Sequence, residues 1–513
     1  MSTQKQQFRY LIAAMVTAYH NPLNDSGFFV SLHIAKSLAK QGNYVYLMLP
    51  EQFSDPENKK QLPKIQGVKY VFTGISSLLF HQAHSVIDTQ VLNELFSMHC
   101  GKYFLDAAIV FSGEHAIQLR CAVSHHTNVL ADLPIYNIEL GMNAPDTNPA
   151  YSDSINEKLH ALGFAITIPV MATEREKSVM GDKMLHYGVG LRDRQDTLDR
   201  TISAAQPVDF AMLDEYREKY PRGEEPENPT VNLLYAARIN SVKRVDKIID
   251  AFDEVYKQAV PCTVTLMSNT PEFKSEGFLK GGGVLEGRDY IKTKFKAGRA
   301  EFYEAAAHSH VYVMWSTSEV FPIALMEAMY LGCIPQVERS AWATHALAEW
   351  DDPLFWFTNK AELVTNIRWI QQNWEEAQKR LAALLDKVIP YFKEHEISLE
   401  IMRDMERKYE EGYWIPHTMF GMKKEFEDML YRASLKGDYL NPLYITPLFN
   451  DFLRSNMSKD SIVRSNTKRL PTDYHYYYWL KYMYKQHDDC SRAMARFNID
   501  FGDKTNGTKD EHS

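Results

Sequence analysis

The chain has 513 residues, of which 45% are hydrophobic and 24% are charged, as in an ordinary water-soluble globular protein. A chain of this length is too long to fold around a single hydrophobic core, so two or three domains are expected. The formal net charge of −9 excludes an overall attraction to nucleic acid or anionic lipid, although local basic patches remain compatible with it.

The first half of the chain alternates between predicted strands and predicted helices. Leu11–Val16 reads as a first strand, Asn21–Gly27 as a turn-rich loop, and the residues from Phe28 to Ala39 as a helix with one apolar stripe. Repeated units of this kind imply a parallel sheet with helices on both faces. Further strands are predicted at Tyr44–Leu49, Val68–Phe72, Ala107–Phe111, Ile135–Leu140 and Ala165–Val170, and helices at Val91–Phe104 and His115–Val123.

The second half repeats the scheme after a polar helix predicted at Arg192–Gln206 and a junction at Pro207–Asp209. Glu362–Tyr413, rich in Leu, Ala and charged residues, is predicted to be helical. The strands predicted between them are Val231–Ala236, Thr263–Met267, Val311–Trp315 and Ile334–Val337, and the helices are Val245–Tyr256, Ala300–Ala307 and Phe321–Leu331.

Five scattered cysteines lack the paired spacing of a metal site, which indicates reduced, buried thiols and no structural zinc. The apolar segment Tyr10–Tyr19 is too short to cross a membrane and has no signal-peptide cleavage pattern. We therefore expect a cytoplasmic protein without a membrane span.

Two glutamates stand eight positions apart where the hydrophobic period changes. Glu319 follows the apolar run Val311–Trp315, and Glu327 lies within the helix predicted at Phe321–Leu331. The loop after a parallel strand lies at the carboxyl edge of the sheet, where α/β proteins bind ligands. There the free backbone N–H groups of Val320 and the residues after it can face an anion or a sugar oxygen. Read alone, the two residues are more simply explained as a solvated loop Glu and an exposed helix Glu.

The segment Glu319–Met329 resembles the Glu-x7-Glu motif of retaining, nucleotide-sugar-dependent glycosyltransferases of the GT-B fold. A second segment, Leu233–Phe252, resembles the strand, Ala-Arg, Lys-Arg and helix block of the same family. In that family the residues matching Arg238 and Lys243 hold the donor diphosphate; otherwise both would be surface cations beside a helix start.

The resemblance implies an α/β protein with two doubly wound parallel-sheet domains facing a cleft, followed by a helical C-terminal extension. We place the acceptor domain at residues 1–206, the nucleotide-sugar domain at 207–385, and the crossover helices with the extension at 386–513. It also implies a nucleotide diphosphate sugar as donor, with no cofactor and no divalent metal. Glu319 with the loop Val320–Pro322 would position the sugar, and Glu327 the ribose.

The N-terminal domain departs from the family at two loops. One glycine is retained where a Gly-Gly turn is usual, so Ser26 and Gly27 are the candidates for close approach to the donor. Glu139 stands about where relatives carry an active-site histidine, and His115 after the preceding strand is another candidate for sugar contact. Either residue could replace that histidine, and Glu139 could instead orient or deprotonate the acceptor.

The last part of the chain has a local excess of positive charge. Arg454–Arg496 carries nine cations, Lys468 and Arg469 among them, against four acidic residues, which leaves an excess of five, and seven aromatic residues are interleaved with them. Such a pattern suits a nucleic-acid surface, or an aromatic helix packed on the core with a solvated basic face. The chain is loosely similar to bacteriophage enzymes that glycosylate hydroxymethylcytosine in DNA, which would place it in the host cytoplasm.

The sequence therefore predicts a retaining glycosyltransferase whose acceptor could be hydroxymethylated DNA. Other interpretations stay open: transfer to a saccharide, a lipid or another small acceptor, a non-catalytic protein that binds a nucleotide sugar or nucleic acid, and a GT-B epimerase or phosphorylase.

Overall fold

A computed structural model describes most of the chain up to residue 410, in two compact units. The first unit takes the described residues of Met1–Val170, Lys177–Ile202 and those from Ile401 onward, and the second takes Met171–Glu176 and Ser203–Glu400. The described residues are 7–14, 16, 26–50, 53–72, 105–113, 115–116, 119, 134–138, 161, 163–186, 189, 191–220, 230–237, 239, 242–268, 287–317, 319, 322–347 and 350–410.

The first unit is built on a seven-stranded sheet with the order β3-β2-β1-β4-β5-β6-β7. The pairings from β3 through to β6 are all parallel. The strands are β1 (Arg9–Ala13), β2 (Tyr44–Leu49), β3 (Val68–Phe72), β4 (Ala107–Val110), β5 (Ile135–Ile138), β6 (Ile168–Met171) and β7 (Ile202–Ser203), and the helices are α1 (Ser26–Lys40), α2 (Pro56–Gln61), α3 (Glu174–His186) and α4 (Leu191–Asp199).

The second unit is built on a parallel six-stranded sheet with the order β10-β9-β8-β11-β12-β13. Its strands are β8 (Val231–Ala236), β9 (Cys262–Ser268), β10 (Ile291–Phe295), β11 (Val311–Met314), β12 (Ile334–Glu338) and β13 (Trp356–Phe357). Its helices are α5 (Phe210–Lys219), α6 (Val245–Lys257), α7 (Arg299–Ala307), α8 (Ile323–Tyr330), α9 (Ala341–Ala346), α10 (Lys360–Gln372) and α11 (Trp374–Glu394), and α12 (Ile397–Glu410) then leads back into the first unit.

The central elements of the second unit follow from their apolar patterns. All four residues of β11 are buried, as a parallel strand covered on both faces requires. In α6, Ile248, Phe252 and Val255 recur at helical spacing and form the buried face. Helix α8 ends in a Schellman motif, since Gly332 at φ 93° donates its N–H to Met329 and Cys333 donates to Ala328.

Helix α12 is fixed to the first sheet by a buried polar cluster. The hydroxyl of Tyr136 in β5 donates a 2.8 Å hydrogen bond to Asp404 of α12. Arg407 and Lys408 also contact the Asp404 carboxylate, so its charge is compensated where it lies. Burial, followed by the charge of Asp404, raises the pKa of Tyr136 well above its ordinary value, so this hydroxyl stays protonated.

Several predicted boundaries need correction. The polar helix expected at Arg192–Gln206 ends at Asp199 and is followed by the short strand β7. The strand expected from Ala165 begins only at Ile168. The sequence pattern does not predict strand β10, because its residues, IKTKF, contain no apolar run. This strand lies at the edge of the sheet, and its lysines are exposed. The helix predicted at Val91–Phe104 lies outside the described residues.

Candidate active site

The loops that follow β8 and β11 meet at the carboxyl edge of the second sheet. These strands are neighbours, with Val311 opposite Leu233. Beyond the strand ends, the backbone N–H of Thr317 donates a 2.9 Å hydrogen bond to the carbonyl of Val242. The two segments that carry Lys243 and Glu319, 76 positions apart in sequence, are thereby held side by side.

Lys243 and Glu319 form an ion pair between these loops. The ammonium contacts the carboxylate oxygen Oε1, and the two side chains are only 14% and 12% exposed. A cation and a carboxylate that are this well shielded from water attract each other more strongly than a surface pair does. The structure thus brings together the diphosphate-binding and sugar-binding candidates of the two motifs.

A buried tyrosine helps to hold the backbone of Lys243 in place. Tyr235, near the end of β8, donates its hydroxyl to the backbone carbonyl of Lys243 over 2.8 Å. Burial, followed by the charges of Glu319 and Asp246, raises the pKa of Tyr235 above its ordinary value, so the hydroxyl remains a donor at neutral pH. Lys243 is therefore held at its main chain as well as at its ammonium.

The loop after β11 is packed against a tryptophan from the next strand–helix unit. Trp342 in α9 is buried and donates its indole N–H to the carbonyl of Ser316 over 2.6 Å. Pro322 occupies the N-cap position of α8, which begins at Ile323, two residues later than predicted. Glu319 accordingly lies on a strand-to-helix loop, as the sequence pattern indicates.

Glu327 lies in α8, also as predicted, but its carboxylate is paired within the protein. Its side chain is 2% exposed, and Oε1 accepts hydrogen bonds from the guanidinium of Arg299 and, over 2.8 Å, from the hydroxyl of Tyr303. The Nε–H of Arg299 donates to the Tyr303 hydroxyl over 2.7 Å, which closes a triangle. No sequence pattern singled out Arg299 or Tyr303, because only the packing of α7 against α8 brings them to Glu327.

Two further charged residues, Arg244 and Glu338, influence each other at the end of the next strand. Arg244, which directly follows Lys243, adopts a left-handed conformation with φ 49°. Burial raises the pKa of Glu338 at the end of β12, and Ser340 and the charge of Arg244 oppose that rise. Since left-handed backbone is costly for a residue other than glycine, Arg244 is held there by its surroundings.

The N-terminal candidates lie in the first unit. Helix α1 begins at Ser26, so Gly27 belongs to its first turn rather than to the turn-rich loop predicted there, and its carbonyl accepts a bond from the Ser31 hydroxyl. His115 is 3% exposed, and its backbone N–H donates to Ser112. The structure shows His115 buried, and its contact with a sugar remains a prediction.

The remaining predicted site residues lie outside the part of the chain that the structure describes. They are Arg238, Glu139, Val320, Phe321, Lys468 and Arg469. Among the described residues, no group of His, Cys, Asp and Glu side chains is arranged to hold a metal ion. No described helix is both long and apolar enough to cross a membrane.

Comparisons with known proteins agree with this arrangement. Residues 216–383, which contain Lys243, Glu319 and Glu327, match the family described as glycosyl transferases group 1. Over 164 residues the chain is 28% identical to the UDP-N-acetylglucosamine–peptide N-acetylglucosaminyltransferase GtfA subunit of Streptococcus gordonii, which covers 32% of this chain. The match spans only 28% of that relative's length.

Solved structures with two-domain glycosyltransferase folds are similar to most of the chain. Anabaena HepE in complex with UDP-glucose has a TM-score of 0.51 at 11% identity and covers 79% of this chain and 100% of its own. Sucrose-phosphate synthase from Thermosynechococcus elongatus has a TM-score of 0.55 at 12% identity, with the same coverage of 79% and 100%. An Escherichia coli trehalose-6-phosphate protein bound with UDP-2-fluoro glucose has a TM-score of 0.53 at 12% identity, covering 77% and 98%.

The chain therefore has the GT-B fold, which confirms the predicted class of two parallel-sheet α/β domains. Residues 216–383 are similar to the group 1 glycosyltransferases.

Proposed function

We propose that this protein is a retaining glycosyltransferase that transfers a sugar from a uridine diphosphate sugar to an acceptor hydroxyl. The observation that carries the proposal is the contact between Lys243 and Glu319, since it joins the two motifs at one sheet edge. A cation for the diphosphate and a carboxylate for the sugar are the groups that such a donor needs side by side.

Each group has a distinct role in the proposed reaction. The bond between the anomeric carbon and the diphosphate oxygen breaks, and negative charge builds on the leaving diphosphate. Lys243, with Arg238, stabilises that charge, and preorganised electrostatic contacts of this kind often contribute more to catalysis than any other effect. Glu319 accepts hydrogen bonds from sugar hydroxyls and fixes the ring, while Glu327 serves the ribose.

Retention follows if the acceptor attacks from the face that the diphosphate leaves. The acceptor oxygen then forms the new bond to the anomeric carbon, and its proton passes to a diphosphate oxygen. No protein nucleophile takes part. The tests of this step are the configuration of the product and the absence of a sugar–protein adduct.

The uridine base is proposed from the structural neighbours and the curated relative. HepE and the Escherichia coli protein are described with UDP-glucose and UDP-2-fluoro glucose, and the Streptococcus gordonii relative is a UDP-N-acetylglucosamine transferase. UDP-glucose and UDP-N-acetylglucosamine are therefore the first donors to test.

For the acceptor we propose hydroxymethylcytosine in DNA. The support is the excess of five positive charges with interleaved aromatic residues in Arg454–Arg496, on a chain whose formal net charge is −9. DNA binding of this kind weakens as salt rises, because condensed counterions are released from the phosphates.

The decisive experiment incubates the protein with each radioactive donor and four acceptors: hydroxymethylated duplex DNA, unmodified DNA, a serine-rich peptide and a simple saccharide. We expect labelled hydroxymethylated DNA, unlabelled control DNA and released UDP, and we expect Lys468→Glu/Arg469→Glu to reduce labelling more at moderate salt than at low salt. If the peptide or the saccharide is labelled and the DNA is not, the proposed acceptor is wrong and the transferase activity stands. UDP release or sugar conversion without any labelled acceptor would indicate a hydrolase or epimerase, and binding alone a non-catalytic protein.

A further inference from the structure

The triangle formed by Arg299, Tyr303 and Glu327 places a partly buried cation beside a buried carboxylate. Glu327 is 1% exposed and Tyr303 is fully buried, whereas part of the Arg299 side chain reaches the surface. A carboxylate buried without a cation would become protonated, because burial disfavours its charged form. Arg299 cannot lose its proton under ordinary conditions, so it supplies the positive charge beside the Glu327 carboxylate.

The charge state of the cation is itself secured by the cluster. Burial alone would lower the pKa of Arg299, but the charge of Glu327 and the contact with Tyr303 outweigh it and leave that pKa above its usual value. Burial, followed by the charge of Glu327, also raises the pKa of Tyr303. Tyr303 therefore remains a hydrogen-bond donor across the neutral range.

The two contacts also orient the carboxylate. Arg299 and Tyr303 both donate to Oε1 of Glu327. Among the described residues, no hydrogen bond uses Oε2. A carboxylate can accept on both oxygens, so an ionised and fixed Glu327 retains acceptor capacity on Oε2 for a ligand hydroxyl.

We propose that Arg299, supported by Tyr303, is a positioning residue that pairs with Oε1 of Glu327 and leaves Oε2 for the donor ribose, so that it sets the preference for a ribonucleotide over one without ribose hydroxyls. This inference rests on the proposed function, because it assigns the ribose to Glu327. It assigns no contact between Arg299 and the substrate.

The test compares the dissociation constants of UDP and 2′,3′-dideoxy-UDP, measured by calorimetry on the full chain. Wild-type protein should prefer UDP by roughly 10-fold or more, the scale of a hydrogen bond to a charged group. Arg299→Gln should bring the ratio of the two constants to about unity, and Glu327→Gln should do the same. Tyr303→Phe keeps the cation and removes one hydrogen bond, so its ratio should fall between those of the wild type and Arg299→Gln.

Rescue of this ratio by a conservative variant, together with its pH profile, separates positioning from a merely structural role. The titratable groups found near Glu327 in the described residues are Arg299 and Tyr303 of α7 and Tyr312 of β11. Burial raises the pKa of both tyrosines, so neither ionises below pH 8. The wild-type ratio should thus stay constant from pH 8 to 6. Arg299→Lys, which keeps a shorter cation, should restore part of the preference that Arg299→Gln loses. The titration of the UDP phosphate cancels in the ratio.

Arg288→Gln is the matched control. Arg288 forms an equivalent triangle with Asp253 and Tyr290 in the same domain, with bonds of 2.7 Å from Nε and Nη2 to the carboxylate. Its loss should lower the thermal midpoint while leaving the UDP preference and its pH profile as in the wild type.

The outcomes are distinguishable. If Arg299→Gln keeps the wild-type preference and a flat pH profile, Arg299 is only a structural residue and the inference is wrong, although transfer stands. If Arg299→Gln does not fold, Arg299→Lys and Tyr303→Phe decide by the same ratio. If wild-type protein transfers sugar but binds both nucleotides equally, Glu327 does not serve the ribose and the inference fails alone. If it neither binds UDP nor transfers sugar, the proposed function fails as well.

Discussion

Replacing Lys243 by alanine should slow transfer far more than it destabilises the fold. Under the proposed function the ammonium is a preorganised contact to the leaving diphosphate, and losing one such contact raises the barrier by about 2–4 kcal/mol. This corresponds to a rate lower by a factor of roughly 30 to 900. The measurement is turnover at saturating donor, followed by UDP release.

The cost to folding can be bounded from the burial of the pair. Exposed ion pairs contribute about 0–1 kcal/mol, and breaking a fully buried pair costs about 3–5 kcal/mol. With side chains 14% and 12% exposed, the Lys243–Glu319 pair lies between these limits, so we expect a loss of about 1–3 kcal/mol, most of it from the unpaired Glu319. Lys243→Ala/Glu319→Gln removes that unpaired charge and should recover part of the stability without recovering the rate.

Lys360→Ala provides the control for the charge change. Lys360 pairs with Asp250 in the same unit, at side-chain exposures of 41% and 54%, so its removal should alter neither turnover nor stability measurably. Turnover of folded Lys243→Ala within threefold of the wild type would refute the assignment of Lys243 to the diphosphate.

Three further predictions test other groups. Glu319→Gln should lower kcat sharply while UDP affinity stays equal or rises, because the lost carboxylate no longer competes for Lys243; equal losses in both would place Glu319 in the nucleotide site. Burial raises the pKa of Cys262 to about 11, so this thiol should resist alkylation at pH 8 until the protein unfolds, as read by site-resolved mass spectrometry, and rapid native labelling would contradict its burial. The hydrogen bond from Arg288 lowers the pKa of Asp253, and partial burial opposes this effect. The ionised Asp253 therefore stabilises the fold at a pH above its unfolded-state pKa of about 4, and this stabilisation is lost as the pH falls through its lower folded-state pKa. Asp253→Asn should therefore reduce the thermal midpoint at pH 6 and differ less from the wild type near pH 3; a constant difference would refute this linkage.

The sequence predicted the two central strand–helix units of the second unit well because their signals are local. A buried strand such as β11 shows as an apolar run, and the change to helical spacing marks α8 to within two residues at its start. The loop position of Glu319 and the helical position of Glu327 follow from that change alone.

The partners of these residues could not be predicted in the same way. Arg299 and Tyr303 reach Glu327 from 28 and 24 positions away, and in sequence they belong to a short helix with no distinctive pattern. The burial of Glu327 is likewise a tertiary property, since an isolated helix would leave its carboxylate exposed. Gly27 was placed in a loop because glycine favours turns, yet the helix already begins at Ser26.

The pairing of Lys243 with Glu319 has a consequence for how a donor would bind. Each of the two charges satisfies the other at low exposure. A diphosphate that takes Lys243 leaves Glu319 as an unpaired, largely buried carboxylate, which is costly. Sugar hydroxyls can then donate to Glu319 and offset that cost. Under the proposed function, an intact nucleotide sugar satisfies both residues at once, whereas free UDP satisfies only the lysine, so we expect the site to favour the donor over the product that must leave.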